Sequence, residues 1–372
     1  MAYRALTVPA PGGSCTQAGH RLIAVMRRRD VLLAGMGIFA GGCAASSPQP
    51  DASGTISPAA TGRTDVPEPA SAPVPTASPA GRVVPLAGAP EGLAVDVADG
   101  VVAVGVRGPD GVALVDLTTG KVRRLVSLPG APRHLGLAGP RGPLLVPAEQ
   151  VDTLYQVSLP DGEMLTTTRV GHQPHDAAAA GSTIFVGNEY SNTVSVIRAG
   201  KQVATLPGPL QPGGVAASSD GAVVVVVGVR GRQISAYTAA GDRLGSAPCG
   251  VGPTHVLAGA GRLFYVADTE GDAVLVFQVD AHGPQQVGRV ATSGGAPYGL
   301  ALDAQRSLLY VTLTAVNLLQ SFRITGQTLT TYRTWPTVRQ PNSVAVDETT
   351  GQAIVTGTVG NKLQFIDTVA AG

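Results

Sequence analysis

The chain is poor in charge and in cysteine. Only 14% of its 372 residues are charged and the formal net charge is +1. No basic run lies in the repeat region described below, so the clustered positive face that a nucleic-acid partner needs is absent. The three cysteines, Cys15, Cys43 and Cys249, form no CxxC or Cys/His zinc pattern. Lysine occurs three times against 23 arginines, and aromatic residues make up 4%. A Ser-His-Asp order with a nucleophile elbow is missing, as is a glycine-rich phosphate loop that opens a helix. Glycine (49) and proline (29) are abundant instead, a mix that suits short strands joined by tight turns, or an unstructured segment.

Arg27-Arg28-Arg29-Asp30 precedes an apolar run from Val31 to Ala40, and Gly41-Gly42-Cys43 follows. A charged start, an apolar stretch of about 7–15 residues and small residues before a cut describe a signal peptide. The run falls short of the roughly 20 residues that span a bilayer. Arg28-Arg29-Asp30-Val31-Leu32 resembles a twin-arginine export signal, and Ala40-Gly41-Gly42-Cys43 resembles a lipobox. The lipobox resemblance implies an acylated Cys43 and a chain anchored to the outer face of the cell membrane. Residues 1–42 are therefore read as a signal region, with Met26 as a candidate start because residues 1–25 carry no usable apolar run. Residues 43–80 are rich in proline, alanine and serine, and are read as a disordered, semi-extended spacer. Only Cys249 is then left in the folded part, which excludes an intramolecular disulfide there and, without a basic neighbour, makes it inert.

From residue 81 one pattern recurs. A proline opens a small-apolar strand at Pro90, Pro132, Pro174, Pro212, Pro253, Pro297 and Pro341, at intervals of 42, 42, 38, 41, 44 and 44 residues. A second marker, a polar turn between two apolar strands, falls at Asp110, Asp152, Asn192, Gln233, Asp272, Asn317 and Asn361. Asn and Asp tolerate left-handed backbone there, and Gln233 is the exception. Periods of about 40–50 residues with several short strands each mark propeller blades. The last repeat stops at Asp367 without an outermost strand, and Gly81–Leu86 has the pattern of the missing one. The expected fold over 81–372 is all-β, a seven-bladed β-propeller closed by N- and C-terminal strands in one blade.

Tyr265-Val266-Ala267-Asp268, Phe185-Val186-Gly187-Asn188 and Tyr310-Val311-Thr312-Leu313 resemble the Tyr-Val-Thr-Asn repeat of bacterial surface and periplasmic propellers. The Pro-x-Gly-Leu-Ala element at Pro90 and Pro297 is similar to those repeats and to the related NHL type. The resemblance covers roughly residues 82–369 and implies the fold. It leaves function open, because that group includes binding proteins, lyases and lactonases.

In propellers, the loops entering the innermost strands and those joining the second and third strands share one face, the top, at the mouth of a central channel. The residues placed there are Glu91, Arg133, His134, His175, Asp176, His255, Tyr298 and Asn342, with Asn188 and Asp268 at the ends of second strands. Four of the five repeat-domain histidines, His134, His172, His175 and His255, lie within two residues of a blade-opening proline. Imidazole serves as metal ligand, acid or base near neutral pH. His175 and Asp176, adjacent on an extended chain, face opposite sides and form no direct dyad.

The reading that follows is a membrane-tethered, monomeric propeller that binds a protein, peptide or envelope component on its top face, with no cofactor. The alternative is an enzyme of the lyase or lactonase kind, with His175 or His255 as base and a divalent metal on His134, His175 and His255.

Overall fold

Alternation of small apolar residues with two-residue turns folds the repeats into 28 strands arranged as seven four-stranded antiparallel sheets. The computed structural model describes residues 66–369; the signal region, Met26, Cys43 and the first part of the spacer lie outside the described residues. Blade one consists of β2 (Ala89–Asp96), β3 (Val101–Arg107), β4 (Gly111–Asp116) and β5 (Val122–Ser127), innermost to outermost. Five further blades repeat that order. Blade seven joins β26 (Pro341–Asp347), β27 (Gln352–Gly357) and β28 (Lys362–Asp367) to β1 (Arg82–Pro85), which pairs with β28 so that Arg82 faces Phe365. The N-terminal strand thus closes the ring, as expected. Arg82 also lies over the Phe365 ring at 4.2 Å and donates to the carbonyls of Thr118 and Thr119 in blade one.

Second strands such as Val223–Gly228 and Leu308–Leu313 are buried along their whole length, because each is flanked by strands within its blade and by neighbouring blades on both faces. Each of the seven seams between blades holds its own apolar cluster, for example Val101, Leu114, Leu144 and Tyr155 between blades one and two. Trp335 packs beside Tyr310 at the seam of blades six and seven, and Cys249 is a free, buried thiol whose pKa burial pushes up.

The sequence marker at the turn between second and third strands works as a latch. Asp152, Asn192, Asp272, Asn317 and Asn361 all adopt left-handed backbone, with φ between 47 and 56°. In four of them the side-chain Oδ1 accepts the N–H of the residue just before the next blade's proline. The pairs are Asp152–Gln173 (3.0 Å), Asn192–Gln211 (2.7 Å), Asp272–Ala296 (3.0 Å) and Asn317–Gln340 (2.8 Å). Blade four differs from expectation: Arg232, not Gln233, is left-handed there. Neither offers a carboxamide or carboxylate of the right length, and Asp268 of blade five holds the loop instead, accepting the N–H groups of Val251 and Gly252. Blade two also departs, since its innermost strand β6 is only Gly136–Leu137, cut short by the Gly/Pro-rich stretch from Gly139 to Pro143.

After the blade-opening proline, the innermost strand is bulged in the other six blades. A bulge re-aims the side chains that follow it, which carries the residue after each proline towards the mouth. The strands crowd there: a Cβ on Gly92 would come within 2.6 Å of His134 Cα, and one on Gly299 within 2.7 Å of the Asn342 carbonyl. Below the mouth the innermost strands enclose a channel of about 470 Å³, walled by small apolar residues such as Val95, Ala178, Ala217 and Val346. Asp96, Asp303 and Asp347, at the far ends of those strands, accept backbone N–H groups in turns.

From composition alone, the stretch from Val66 to Ala80 is predicted to be part of a spacer. It has no strand of its own, yet Pro67 and Ala72 are buried, and Ala72 and Pro73 accept hydrogen bonds from Arg339 (2.9 Å) and Asn317 (3.0 Å).

If the latch carries stability, Asn192→Ala removes one hydrogen bond and forces alanine into left-handed backbone, at a combined cost of about 2 kcal/mol. Asn192→Gly loses only the bond and is expected to cost roughly half as much. Urea unfolding of both variants checks this; equal losses would show that backbone conformation contributes nothing.

Candidate functional site

Aligning the blades brings three charged side chains onto adjacent top-face positions, Arg107, Glu149 and Glu189, each at or just past the end of a second strand. The corresponding positions of blades five, six and seven carry Thr269, Thr314 and Thr358. Each threonine donates to the carbonyl of the next blade's opening proline: Thr269 to Pro297 (2.7 Å), Thr314 to Pro341 (2.8 Å) and Thr358 to Pro90 (3.1 Å). The position is a structural staple on one side of the ring and a source of charge on the other.

The charged groups converge on His175. Its Nδ1 lies 3.4 Å from a Glu149 oxygen and 3.2 Å from a Glu189 oxygen. Arg107 bridges Glu149 (3.0 Å) and Glu91 (3.2 Å), and Gln211 donates to Glu189 (2.6 Å). Arg133 pairs with Glu68 (3.0 Å) and lines one crevice with Tyr298. Burial opposes a charge on His175, but its bonds to Glu149 and Glu189 outweigh that and push its pKa up to about 9. Glu149 feels the same burial, yet His175, Arg133 and Arg107 draw it down to about 2. Burial raises Glu91 despite the arginines beside it, and takes Tyr298 to about 12.

Next to this network runs a stack of rings. Tyr298 lies 4.1 Å from His255, His255 lies 4.3 Å from His134, and His134 lies 4.8 Å from His175, centroid to centroid. Burial and the cationic His175 hold His134 and His255 well below the usual imidazole range, so they are neutral. Both have a buried Nε2 with no hydrogen-bond partner among the described residues.

The fold therefore gathers Glu91, Arg133, His134, His175, His255 and Tyr298 at the mouth. Asn342 is buried beside them, and its Oδ1 has no partner among the described residues. The remaining positions are turned elsewhere. Asp176 points into the channel, where confinement raises its pKa to about 6 while it accepts the N–H groups of Val215 and Ala177. Asn188 is sealed inside blade three, bonded to Thr193 and Ser195, because the second strand is covered on both faces. Asp268 is consumed by the loop at Val251 and Gly252. His172 pairs with Asp152 on the exposed rim.

The three histidine rings touch, but another set brings its ligating atoms closest. Among the described residues, Glu149, His175 and Glu189 have one such atom each within 4.8 Å of the others. Those atoms already bond to one another through the His175 proton, so a divalent cation there competes with that proton.

No protein-family model and no curated protein matches this chain. Solved structures do. A chain of the mitotic checkpoint complex superposes with a TM-score of 0.67 at 16% identity, covering 82% of this chain and 99% of that one. Hydrazine synthase of Kuenenia stuttgartiensis gives 0.63 at 17% identity, over 77% of this chain and 97% of that one. Streptogramin B lyase gives 0.62 at 13% identity, over 76% and 97%. Likeness at this identity shows the propeller fold and nothing finer.

A protonated His175 makes stability depend on pH in one direction. Its contribution is complete below about pH 6.5, the ordinary imidazole value, and is lost as pH rises through about 9. A displacement of that size corresponds to about 3 kcal/mol. The melting temperature is expected to drop by roughly 5 °C over that interval, and by clearly less in His175→Gln. Parallel melting curves for the two proteins would overturn the charge assignment.

Proposed function

We propose that this chain is an exported lipoprotein, of the Tyr-Val-Thr-Asn/NHL repeat type, that holds a rigid propeller off the outer face of the cell membrane. Its top face recognises an extended segment of a protein, peptide or envelope partner. The observation that carries the reading is the asymmetry of the mouth: blades five to seven use a threonine as a staple where blades one to three present Arg107, Glu149 and Glu189. Groups withdrawn from a structural position and buried as charges cost stability, and a ligand that uses them supplies the reason to keep them. Exposed Tyr190 and Leu210 stand beside that crescent and line a hollow of about 430 Å³ together with Gln211 and Arg230, an aromatic–apolar rim suited to a partner.

A second reading, acid–base chemistry of the lyase or lactonase kind, draws on one observation. A protonated His175 and the neutral His134 and His255 sit ring against ring, which separates an acid from potential bases. Streptogramin B lyase is among the proteins of similar fold.

The anchoring half is tested by fractionation of the producing cell. The full chain is expected with the membranes, released by detergent, and Cys43→Ser in the soluble fraction; a soluble wild-type chain would count against anchoring. For the recognition half, a displayed random-peptide library is selected on purified full chain. Selected peptides are expected to bind Glu189→Gln/Tyr190→Ala at least about tenfold more weakly, a loss typical of interface hot spots, and to bind Glu348→Ala unchanged. Equal binding to all three would remove the top face as the site.

A further inference from the structure

The direct ion pairs within the blades leave Arg133 without a contacting carboxylate, although Glu91 and Glu149 act on it at longer range. Glu91 and Glu149 both engage Arg107, and Glu149 and Glu189 both engage His175. Within the blades there are thus three carboxylates and three cations, but their direct contacts are shared between Arg107 and His175. Arg133 sits on the innermost loop of blade two with its side chain 20% exposed, beside Tyr298. Its direct ion pair comes from outside the ring: Glu68, on the stretch that precedes the first strand.

That stretch lies on the domain as a bound peptide would. Val66, Pro67 and Glu68 border a small crevice with Arg133, Thr254, His255 and Tyr298. A few residues on, the carbonyls of Ala72 and Pro73 are held by Arg339 and Asn317 of blades six and seven. Backbone carbonyls are recognised at one end and a single carboxylate at the other. The Glu68 side chain itself is 60% exposed. An ion pair with one end in water contributes little, so this occupant is held mainly by its tether, which keeps its local concentration near the millimolar range.

We propose that Arg133 and Tyr298 form a carboxylate-binding subsite for an acidic, extended peptide segment of a partner protein, and that the chain's own Glu68 fills it until the partner arrives. The proposal rests on top-face recognition and names its ligand. A partner segment gains over the tethered one by filling the neighbouring 430 Å³ hollow, which Val66 and Glu68 border without closing. The crevice favours proline at the position before the acid, since Pro67 is buried there and has no N–H to satisfy.

The test uses the full chain and a fluorescent peptide of sequence Val-Pro-Glu-Pro-Ala-Ser-Ala-Pro-Val, that of residues 66–74, with a second peptide carrying Gln for Glu. Fluorescence anisotropy is measured on wild type, Glu68→Lys, and Glu68→Lys combined with Arg133→Gln or Arg133→Lys. Freeing Arg133 is expected to tighten binding of the Glu peptide about threefold over wild type, where the tethered copy competes. The Gln peptide and the Arg133→Gln variant are each expected to lose about threefold, with Arg133→Lys between, because lysine keeps the charge but not the fork. Circular dichroism and unchanged melting establish that each variant is folded. Equal binding of the Glu and Gln peptides would sink the carboxylate subsite and leave peptide recognition standing. Binding of neither peptide to Glu68→Lys would sink both.

Discussion

The ring depends on one repeated contact, the hand-over between a left-handed turn residue and the next blade's opening loop. Asn or Asp is needed twice over at that turn. It accepts the backbone conformation, and its short side chain reaches the N–H just ahead of the neighbouring proline. Proline then starts the innermost strand without an N–H of its own to satisfy. In four of the seven blades the two periodic signals in the sequence are therefore two ends of a single hydrogen bond. Where the turn lacks such a side chain, at Arg232-Gln233, the loop is rescued from the other direction by Asp268. That substitution of one carboxylate for a missing carboxamide commits Oδ1 of Asp268, at a second-strand end, to the loop.

A ring closed by its latches and by seven apolar seams tolerates the loss of staples on one side. The threonines of blades five to seven each tie a neighbouring proline carbonyl, and blades one to three do without that bond. Charges placed there sit close to the channel axis, among neutral rings and away from bulk water, where each interaction is stronger than at the surface. The pairing has to be nearly complete for such a cluster to exist, and Arg107 and His175 achieve it by each serving two carboxylates. Neutral His134 and His255 follow from the same electrostatics, since a second imidazolium beside His175 would be repelled.

Fold and closure were legible in the sequence because both rest on period, and period survives a change of residue. Pro90 to Pro341 and the Asn/Asp turns state the blade count, and Gly81–Leu86 states the partner of the last blade. The mouth was legible in part. Glu91, His175, His255 and Tyr298 follow a proline and ride a bulge towards the axis, and Arg133 and His134 follow the proline of blade two, whose short innermost strand has no bulge. Asn188 lies on a second strand covered on both faces, which seals it inside the blade, while Asp176 lines the channel together with His134 and His255. Glu149 and Arg107 went unnoticed. Aligned by blade, they occupy the place that Glu189, Thr269, Thr314 and Thr358 hold in theirs, and three charged residues opposite three threonines in one column were the available signal.

Residues 66–80 show where composition misleads. A segment poor in large apolar groups cannot fold by itself, because nothing in it offsets the entropy of ordering. That judgement treats the segment alone. Prolines at 67, 69, 73, 75 and 79 already restrict the backbone, so less freedom remains to be lost when the segment lies on a prepared surface. The domain supplies the rest: a crevice for Pro67, a guanidinium for Glu68, and donors for the carbonyls of Ala72 and Pro73. The feature that prevents this stretch from becoming a strand therefore makes it an inexpensive guest. A surface that holds a proline-rich, singly acidic peptide at such small entropic cost can exchange it for another of the same kind.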